Sequence, residues 1–545
     1  MSCFRRAPRW LVCLSPGIAA FLVAASVSLW IPAYPNIHDD FANLLVADTL
    51  LHGRLANPTP PSHELLQTFH VVMEPSYAAK FPIGTGALLA LGHLVFGALY
   101  TGMWISAALA CTALTWMLLA ELPKRWAWAF GMFAALHPMW QTGWSQEYTH
   151  GWLAIVAMAL VLGGLLRMRR LGTDIRWTDP LAVACGLVIG IMSRPFEIAV
   201  LSAILGIWIS IGLIRRGCLN NRAFWCGIAP ASIVLALGFG FQGTINRSVT
   251  GSWFKLPYQL HEEQYGVAPV FVWQQPHEPA LGHRFEEQIQ FHRLCSMESY
   301  TTAASWPGYA KLMGGRVSQM MKHWGWVLIL APASIVVLPR ERAKYGMVLV
   351  AALATLCAIN GIPWVSHTYV APLIPAAILL SAVALRTGLH ALARQSSEDR
   401  SSRIQGRNRW QCMAILGLLT MQALGLVMAT RSMIAASERD PNLWSVQRSQ
   451  VAAELLPQGG DHLVMVRYSP GHDIHHEWVY NNAEPASSHI VWARWDESLV
   501  DRLVKDYPNR SAWIIEVAAD DTYRLEPYPK KDPSVSPDGS GNTVQ

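Results

Sequence analysis

Asp39 and Asp40 sit side by side just past the first long apolar run, in His38-Asp39-Asp40-Phe41. Ionisable groups at a membrane boundary are costly to hold and mark reaction or transport sites. A carboxylate placed there can take a proton from a hydroxyl, and a neighbouring cation can stabilise negative charge as it develops. Cations of that kind are Arg54, Lys80 in Lys80-Phe81-Pro82, and Arg194. Arg194 belongs to Ser193-Arg194-Pro195-Phe196-Glu197, a polar break between two apolar runs. The plain alternative is structural: the aspartates cap a helix and Arg194 pairs with Glu197. Glu147 in a short polar turn, and His367 and Tyr369 at the start of a late apolar run, are candidates for substrate binding. His472, His475, His476 and Glu477 form H-x-x-H-H-E, donor types that suit zinc. Their spacing lacks the H-E-x-x-H pattern, so the reading without a metal is preferred. No Gly-rich phosphate loop or dinucleotide fingerprint is present, which argues against a nucleotide-linked substrate.

Those residues are positioned by a chain built for a bilayer. Of 545 residues, 52% are hydrophobic and 14% charged, against roughly 25% charged in a soluble protein. The 24 Trp residues suit interfacial belts at both headgroup layers. The net charge of +6 comes from short basic clusters between apolar runs, so it does not imply nucleic acid. The nine cysteines are scattered, and Cys295 alone falls in an expected outer loop, which disfavours a disulfide framework. The start, FRRAPRW followed by an apolar run without an A-x-A triplet, reads as a retained signal anchor.

Apolar runs predict spans near 10–31, 102–120, 126–141, 149–166, 180–193, 197–214, 224–243, 323–338, 345–361, 369–386 and 410–430. Whether Ile83–Leu99 also crosses decides the orientation of everything after it. If it lies in the interface, Lys124-Arg125, Arg167 to Arg170, Arg215-Arg216 and Arg340 to Lys344 all share the cytoplasmic side with Arg5-Arg6. Short-loop Lys/Arg bias sets topology, so that arrangement is preferred. The result is about eleven spans, with segments 31–82 and 244–322 and the tail after Arg431 outside. The expected division is a transmembrane domain over 1–430, a small domain over 431–528 and a disordered tail over 529–545. Runs at 462–468, 489–495 and 511–517, with a helix at 496–506, make that small domain α/β.

The order of these motifs resembles the GT-C glycosyltransferases of the protein mannosyltransferase and aminoarabinose transferase type. In that family an acidic pair follows the first transmembrane helix, and a Lys-Tyr-Pro-Pro-like motif closes the first outer loop. Here Asp39-Asp40 and Lys80-Phe81-Pro82 hold those places, and the likeness is best over about the first 250 residues. It implies an all-α polytopic GT-C-like fold with a juxtamembrane helix, in the inner membrane of a bacterium, with the site on the periplasmic face. It further implies a polyprenyl-phosphate-linked sugar as donor, with an envelope glycan, lipid or protein as acceptor. Asp39 then becomes the general base, Asp40 its catalytic neighbour, and Lys80, Arg54 and Arg194 the donor phosphate contacts. Asp40 in place of Glu, and Phe81-Pro82-Ile83 in place of Tyr-Pro-Pro, depart from the pattern and leave a divalent metal ion open. Two other readings stand beside this one: a transporter or flippase for a lipid-linked glycan, and a non-catalytic envelope-assembly protein.

Overall fold

The computed structural model describes residues 6–31, 33–171, 176–395, 400–439 and 443–529. The tail expected to be disordered lies outside them beyond residue 529. Eight helices are long and apolar enough to cross a bilayer: Arg9–Ser28, Thr101–Leu118, Gly151–Arg170, Pro195–Arg215, Phe224–Thr250, Pro339–Ile359, Ala371–Leu392 and Asn408–Ala436. They coincide with eight of the eleven expected runs. The other three are built differently. The run at 126–141 forms a 12-residue helix, Lys124–Ala135, followed by a π-turn over Trp140–Trp144. The run at 180–193 gives the 14-residue helix Thr178–Ile191. The run at 323–338 begins where Trp306–Ala333 breaks at Gly325, whose φ of 73° and ψ of 163° are not helical.

The segment 83–99 forms the helix Gly84–Phe96, 13 residues long. At 1.5 Å per residue it reaches only about 20 Å, short of the ~30 Å of a hydrocarbon core. Its first residue is tied to the polar break near Arg194. The Gly84 amide donates to the Met192 carbonyl at 2.7 Å, and a Cβ on Gly84 would lie 2.3 Å from that oxygen. Only glycine permits this approach.

Most of the core lies in the first half of the bundle. The helices Gly151–Leu171 and Thr178–Ile191 cross closely through small residues, and a Cβ on Gly186 would meet the Ala157 carbonyl at 2.6 Å. Close backbone contact of this kind holds membrane helices together where no hydrophobic effect separates them from lipid. Trp126, Trp140, Trp144 and Trp152 are fully buried there, so part of the tryptophan content fills the core. Trp10, Trp30, Trp177 and Trp225 are exposed, as interfacial rings would be. The helix Asn408–Ala436 presents Leu416, Leu424 and Met428 outward, a surface that requires an apolar solvent.

The tail forms a four-stranded sheet. With a short hairpin of β1 (Val71–Val72) and β2 (Ala78–Ala79) earlier in the chain, its strands are β3 (Asp461–Tyr468), β4 (Ile490–Arg494), β5 (Arg510–Val517) and β6 (Tyr523–Pro527). Their order is β4-β3-β5-β6, with β3 parallel to β4 and β5, and β6 antiparallel to β5. Three strands fall where alternation and β-branched residues predict them. The fourth, β6, was not expected: it is a five-residue edge strand in which only Tyr523 and Leu525 pack on the core, each half-buried. The eight described cysteines are unpaired.

This sheet does not stand apart from the first long loop. Leu45, Leu65, Val71 and Tyr77 share one buried apolar cluster with Leu463, Met465, Val491 and Leu503. Phe41, next to the aspartates, is stacked on Tyr480 with ring centroids 4.2 Å apart. Arg494, 2% exposed at the end of β4, closes the junction. It pairs with Glu477, donates to Glu287 Oε2 at 2.9 Å, and donates to the Gln67 carbonyl at 3.0 Å. Removing one partner of such a buried pair strands the other charge, at a typical cost of ~3–5 kcal/mol. Arg494→Ala should therefore lose about that much in chemical denaturation, whereas Arg494→Met combined with Glu477→Leu and Glu287→Gln should lose clearly less. Equal losses would show that packing, not charge, closes the junction.

Candidate active site

Adjacent helical residues point about 100° apart, and that angle divides the work of the two aspartates. Both lie in the first turn of the helix His38–Leu51. Asp40 points inward and is 1% exposed. Its Oδ2 accepts from the Asn36 amide at 2.9 Å and its Oδ1 from the Tyr148 amide at 3.0 Å. It caps the helix and ties it to the turn before Gly151. The expected catalytic role of Asp40 is thereby corrected to the capping alternative, since no face of its carboxyl reaches the cavity described below.

Asp39 points the other way, into a cavity of about 720 Å³. Its side chain keeps 36% of its surface, and that surface faces the cavity. Enclosure by protein raises its pKa, opposed by the positive charges of Arg194 and Lys80. His70 Nε2 lies 3.4 Å from Asp39 Oδ1. His70 has φ of 62°, in the left-handed region, and its carbonyl accepts from the Lys80 amide at 2.9 Å. A non-glycine residue held in that region stores local strain of the sort found at functional sites.

Lys80 and Arg194 also line this cavity. Lys80 follows β2, with Nζ 2.9 Å from Glu262 Oε1 and 4.5 Å from the Tyr258 ring centre. Burial alone would raise the Glu262 carboxyl, but Lys80 and His261 beside it hold it well below its usual value. Arg194 precedes the 21-residue helix Pro195–Arg215, whose first residues, Pro195 to Glu197, face the cavity. A helix N-terminus favours anions through its free amides and dipole. Arg194 donates to Thr368 Oγ1, stacks over the Tyr369 ring at 4.7 Å, and meets Glu197 only loosely at 3.9 Å. Its Nε is buried without a hydrogen-bond partner, which leaves a donor for a ligand. Asp39, Lys80, Arg194 and Tyr369 thus converge.

Three groups of expected site residues do not, His475 of the last group excepted. Arg54 pairs with Glu484 at 2.8 Å on the tail side of the loop. The helix that begins at His38 carries the chain some 20 Å away from Asp39 before Arg54, so it is withdrawn as a phosphate contact. Glu147 and His367 pair with each other at 3.3 Å, with His367 stacked on Trp144, and neither lines the cavity. The turn around Glu147 serves through its backbone, by the Tyr148 amide. Of the four tail candidates for a metal, His475 lines the cavity and the other three are engaged elsewhere. Glu477 is spent on Arg494 and Tyr468, while His476 pairs with Asp521 at 2.9 Å, and His472 lies near the same carboxylate at 3.6 Å. Among the described residues no three His, Cys, Asp or Glu side chains are placed to hold a metal ion.

The cavity also holds His38, His70, His292 and Trp364, which sequence reasoning missed, and Tyr258 and Glu262 from segment 255–274, whose mixed aromatic and acidic residues suit a sugar ring as well as ordinary loop packing. His38 is 6% exposed; its Nδ1 lies 2.8 Å from Tyr480 Oη, and its Nε2 has no partner. Burial holds His38, His70 and His292 well below the ordinary imidazole pKa, so all three are neutral at pH 7. For the missed residues the one available signal was a histidine, His38, directly before the aspartates.

Against solved structures, the chain aligns over 92% of its length with 92% of apo ArnT from Cupriavidus metallidurans, at 14% identity and a TM-score of 0.50. ArnT bound to undecaprenyl phosphate gives the same coverages and identity at 0.49. The oligosaccharyltransferase of Archaeoglobus fulgidus, tethered with an acceptor peptide, aligns over 94% of this chain and 70% of its own at 13% identity and 0.45. No protein-family profile matches the sequence, and no curated protein does. The chain has the GT-C fold. Its helical bundle and small C-terminal sheet agree with the all-α polytopic fold and α/β tail expected from the apolar and strand-like runs.

The capping role of Asp40 has a pH signature. Burial pushes its carboxyl up from 3.8 to about 8, with Glu147 and Asp39 adding and the Asn36 and Tyr148 amides opposing. A carboxyl raised in the folded state stabilises fully below its unfolded pKa, and that contribution is lost as pH rises through the folded value. Thermal stability of the wild type should therefore fall between about pH 4 and pH 8 more steeply than that of Asp40→Asn. Parallel curves would refute the assignment.

Proposed function

We propose that this chain is an integral membrane glycosyltransferase that moves a sugar from a polyprenyl-phosphate donor to a hydroxyl acceptor. The observation that carries this reading is the convergence of Asp39, Lys80 and Arg194 on one cavity. Asp39 accepts the acceptor's proton, and burial supports the role by raising its pKa towards the operating range. Lys80, Arg194 and the N-terminus of Pro195–Arg215 hold the donor phosphate and take up charge as the glycosidic bond breaks. The motif resemblance supplies the donor class, and the basic clusters supply the orientation: N-terminus in the cytoplasm, cavity and tail domain in the periplasm of a bacterium. The transporter alternative asks for ionisable groups at the bilayer midplane between broken helices; here Lys80, Asp39 and Arg194 lie on loops and helix starts.

Two measurements test the roles separately. Loss of a charged hydrogen bond is worth ~1.5–3 kcal/mol, or roughly 10- to 150-fold. Arg194→Ala should weaken donor binding by about that factor, as should Lys80→Ala combined with Glu262→Gln, which avoids a stranded buried carboxylate. Unchanged binding in both would remove the pair from the phosphate site. Asp39→Asn keeps size and loses basicity, so transfer from a labelled lipid donor should fall by about 10²–10⁴, with donor binding nearly intact. Transfer near the wild-type rate would sink the base assignment.

A further inference from the structure

The charges around the cavity constrain the acceptor. Its lining holds two cations, Lys80 and Arg194, and three carboxylates, Asp39, Glu197 and Glu262. Each cation faces a carboxylate, at 2.9 Å for Lys80 and Glu262 and at 3.9 Å for Arg194 and Glu197. The nearest other guanidinium, Arg316, lies 5.8 Å from the Tyr369 ring centre. It is turned towards Asn360 Oδ1 at 3.1 Å and the Trp364 carbonyl at 2.8 Å. Arg494, on the tail side, is taken by Glu477 and Glu287. Five histidines also line it: burial keeps His38, His70, His150 and His292 unprotonated, and His475 packs against the His38 ring with centroids 5.6 Å apart.

Transfer uses up what positive charge there is. The acceptor oxygen bonds to the anomeric carbon while its proton passes to Asp39. The anomeric carbon–oxygen bond to phosphate breaks, and its electron pair leaves with the polyprenyl phosphate. The phosphate thus changes from a singly charged diester to a more highly charged monoester, and Lys80 and Arg194 must accommodate that gain. A second anion on the acceptor would face Asp39, Glu197 and Glu262 while Lys80 and Arg194 are engaged by the donor phosphate. Aromatic rings supply the remaining wall: Phe291 and Trp364 lie nearly parallel, 11° apart with centroids at 6.3 Å, and Tyr258 and Tyr369 pack against Lys80 and Arg194. Such rings suit the C–H face of an uncharged sugar.

Resting on the proposed function, we infer that the acceptor is an uncharged glycan hydroxyl, and that Glu262 and Glu197 exclude phosphorylated or otherwise anionic acceptors. Exclusion by like charge is a device for specificity that leaves affinity for the right partner intact. The probes are neutral disaccharides, each paired with its 6-phosphate, added to the full-length protein in nanodiscs loaded with undecaprenyl phosphate. Binding of undecaprenyl phosphate is measured first and independently; its absence would sink the transferase reading itself. Once the carrier is bound, the neutral sugar should bind more tightly than its phosphate by roughly tenfold or more. Glu262→Gln and Glu197→Gln should each shrink that ratio, whereas a purely structural carboxylate would leave it unchanged. Equal or tighter binding of the phosphorylated sugars would overturn the inference. So would failure of every sugar to bind while undecaprenyl phosphate does, or a ratio that neither variant moves.

Discussion

Arg494 is the contact on which the arrangement of this protein rests. One guanidinium joins Glu477 of the tail, Glu287 of the loop between the helices Arg222–Thr250 and Trp306–Ala333, and the Gln67 carbonyl of the first loop. Three segments far apart in sequence are thereby fixed to each other with little water between them. In a buried setting such a knot contributes less to net stability than to arrangement, because desolvation offsets most of the Coulomb attraction. Arrangement is what the cavity needs. His38 and Asp39 come from the first loop, Glu262 and Phe291 from the large loop, and His475 from the tail.

The same economy appears on a smaller scale at the aspartate pair. Asp40 fixes the helix His38–Leu51 by binding the Asn36 and Tyr148 amides, and Phe41 anchors it from the next position by stacking on Tyr480. Asp39, between His38 and Asp40, is left as the carboxylate free to face the cavity. Fixing both its neighbours restrains the carboxylate without using up its own hydrogen-bonding capacity. That is the preorganisation a base needs if no reorganisation is to be charged against the reaction.

The sequence made one half of this legible. Apolar run lengths place eight spans, and alternation places β3, β4 and β5. The order of acidic pair, lysine motif and arginine break selects Asp39, Lys80 and Arg194, which do meet. What was hidden depends on contacts between distant segments. Arg54 looked like a site residue because it is near Asp39 in sequence, but a 14-residue helix separates the two. Asp40 and Asp39 are indistinguishable as letters, and only the 100° turn between them tells which one faces the cavity. Glu262 is one of two adjacent glutamates, and nothing local shows that it, and not Glu263, finds Lys80. The strand β6 was invisible for another reason: it is a short edge strand whose apolar alternation is only two residues deep, Tyr523 and Leu525.

The pairing of Lys80 with Glu262 also bears on how a lipid phosphate would enter. A lysine ammonium buried beside aromatic rings would be costly to keep without a counter-ion, and Glu262 supplies one at 2.9 Å. Lysine holds its charge as a point with three donors, so it can donate to a phosphate oxygen while keeping the carboxylate. Arg194 is bound differently. Its stacking on Tyr369 and its bond to Thr368 fix the plane of the guanidinium, while its contact with Glu197 at 3.9 Å is too long for a tight ion pair. Under the proposed function the two cations therefore divide the phosphate between them. Arg194 is the oriented, weakly compensated group that would set the position of the anion, and Lys80 is the compensated group whose field strengthens as charge builds on the leaving oxygen. A cavity holding two uncompensated cations would bind any anion; one with its carboxylates in place keeps its attraction for a single phosphate.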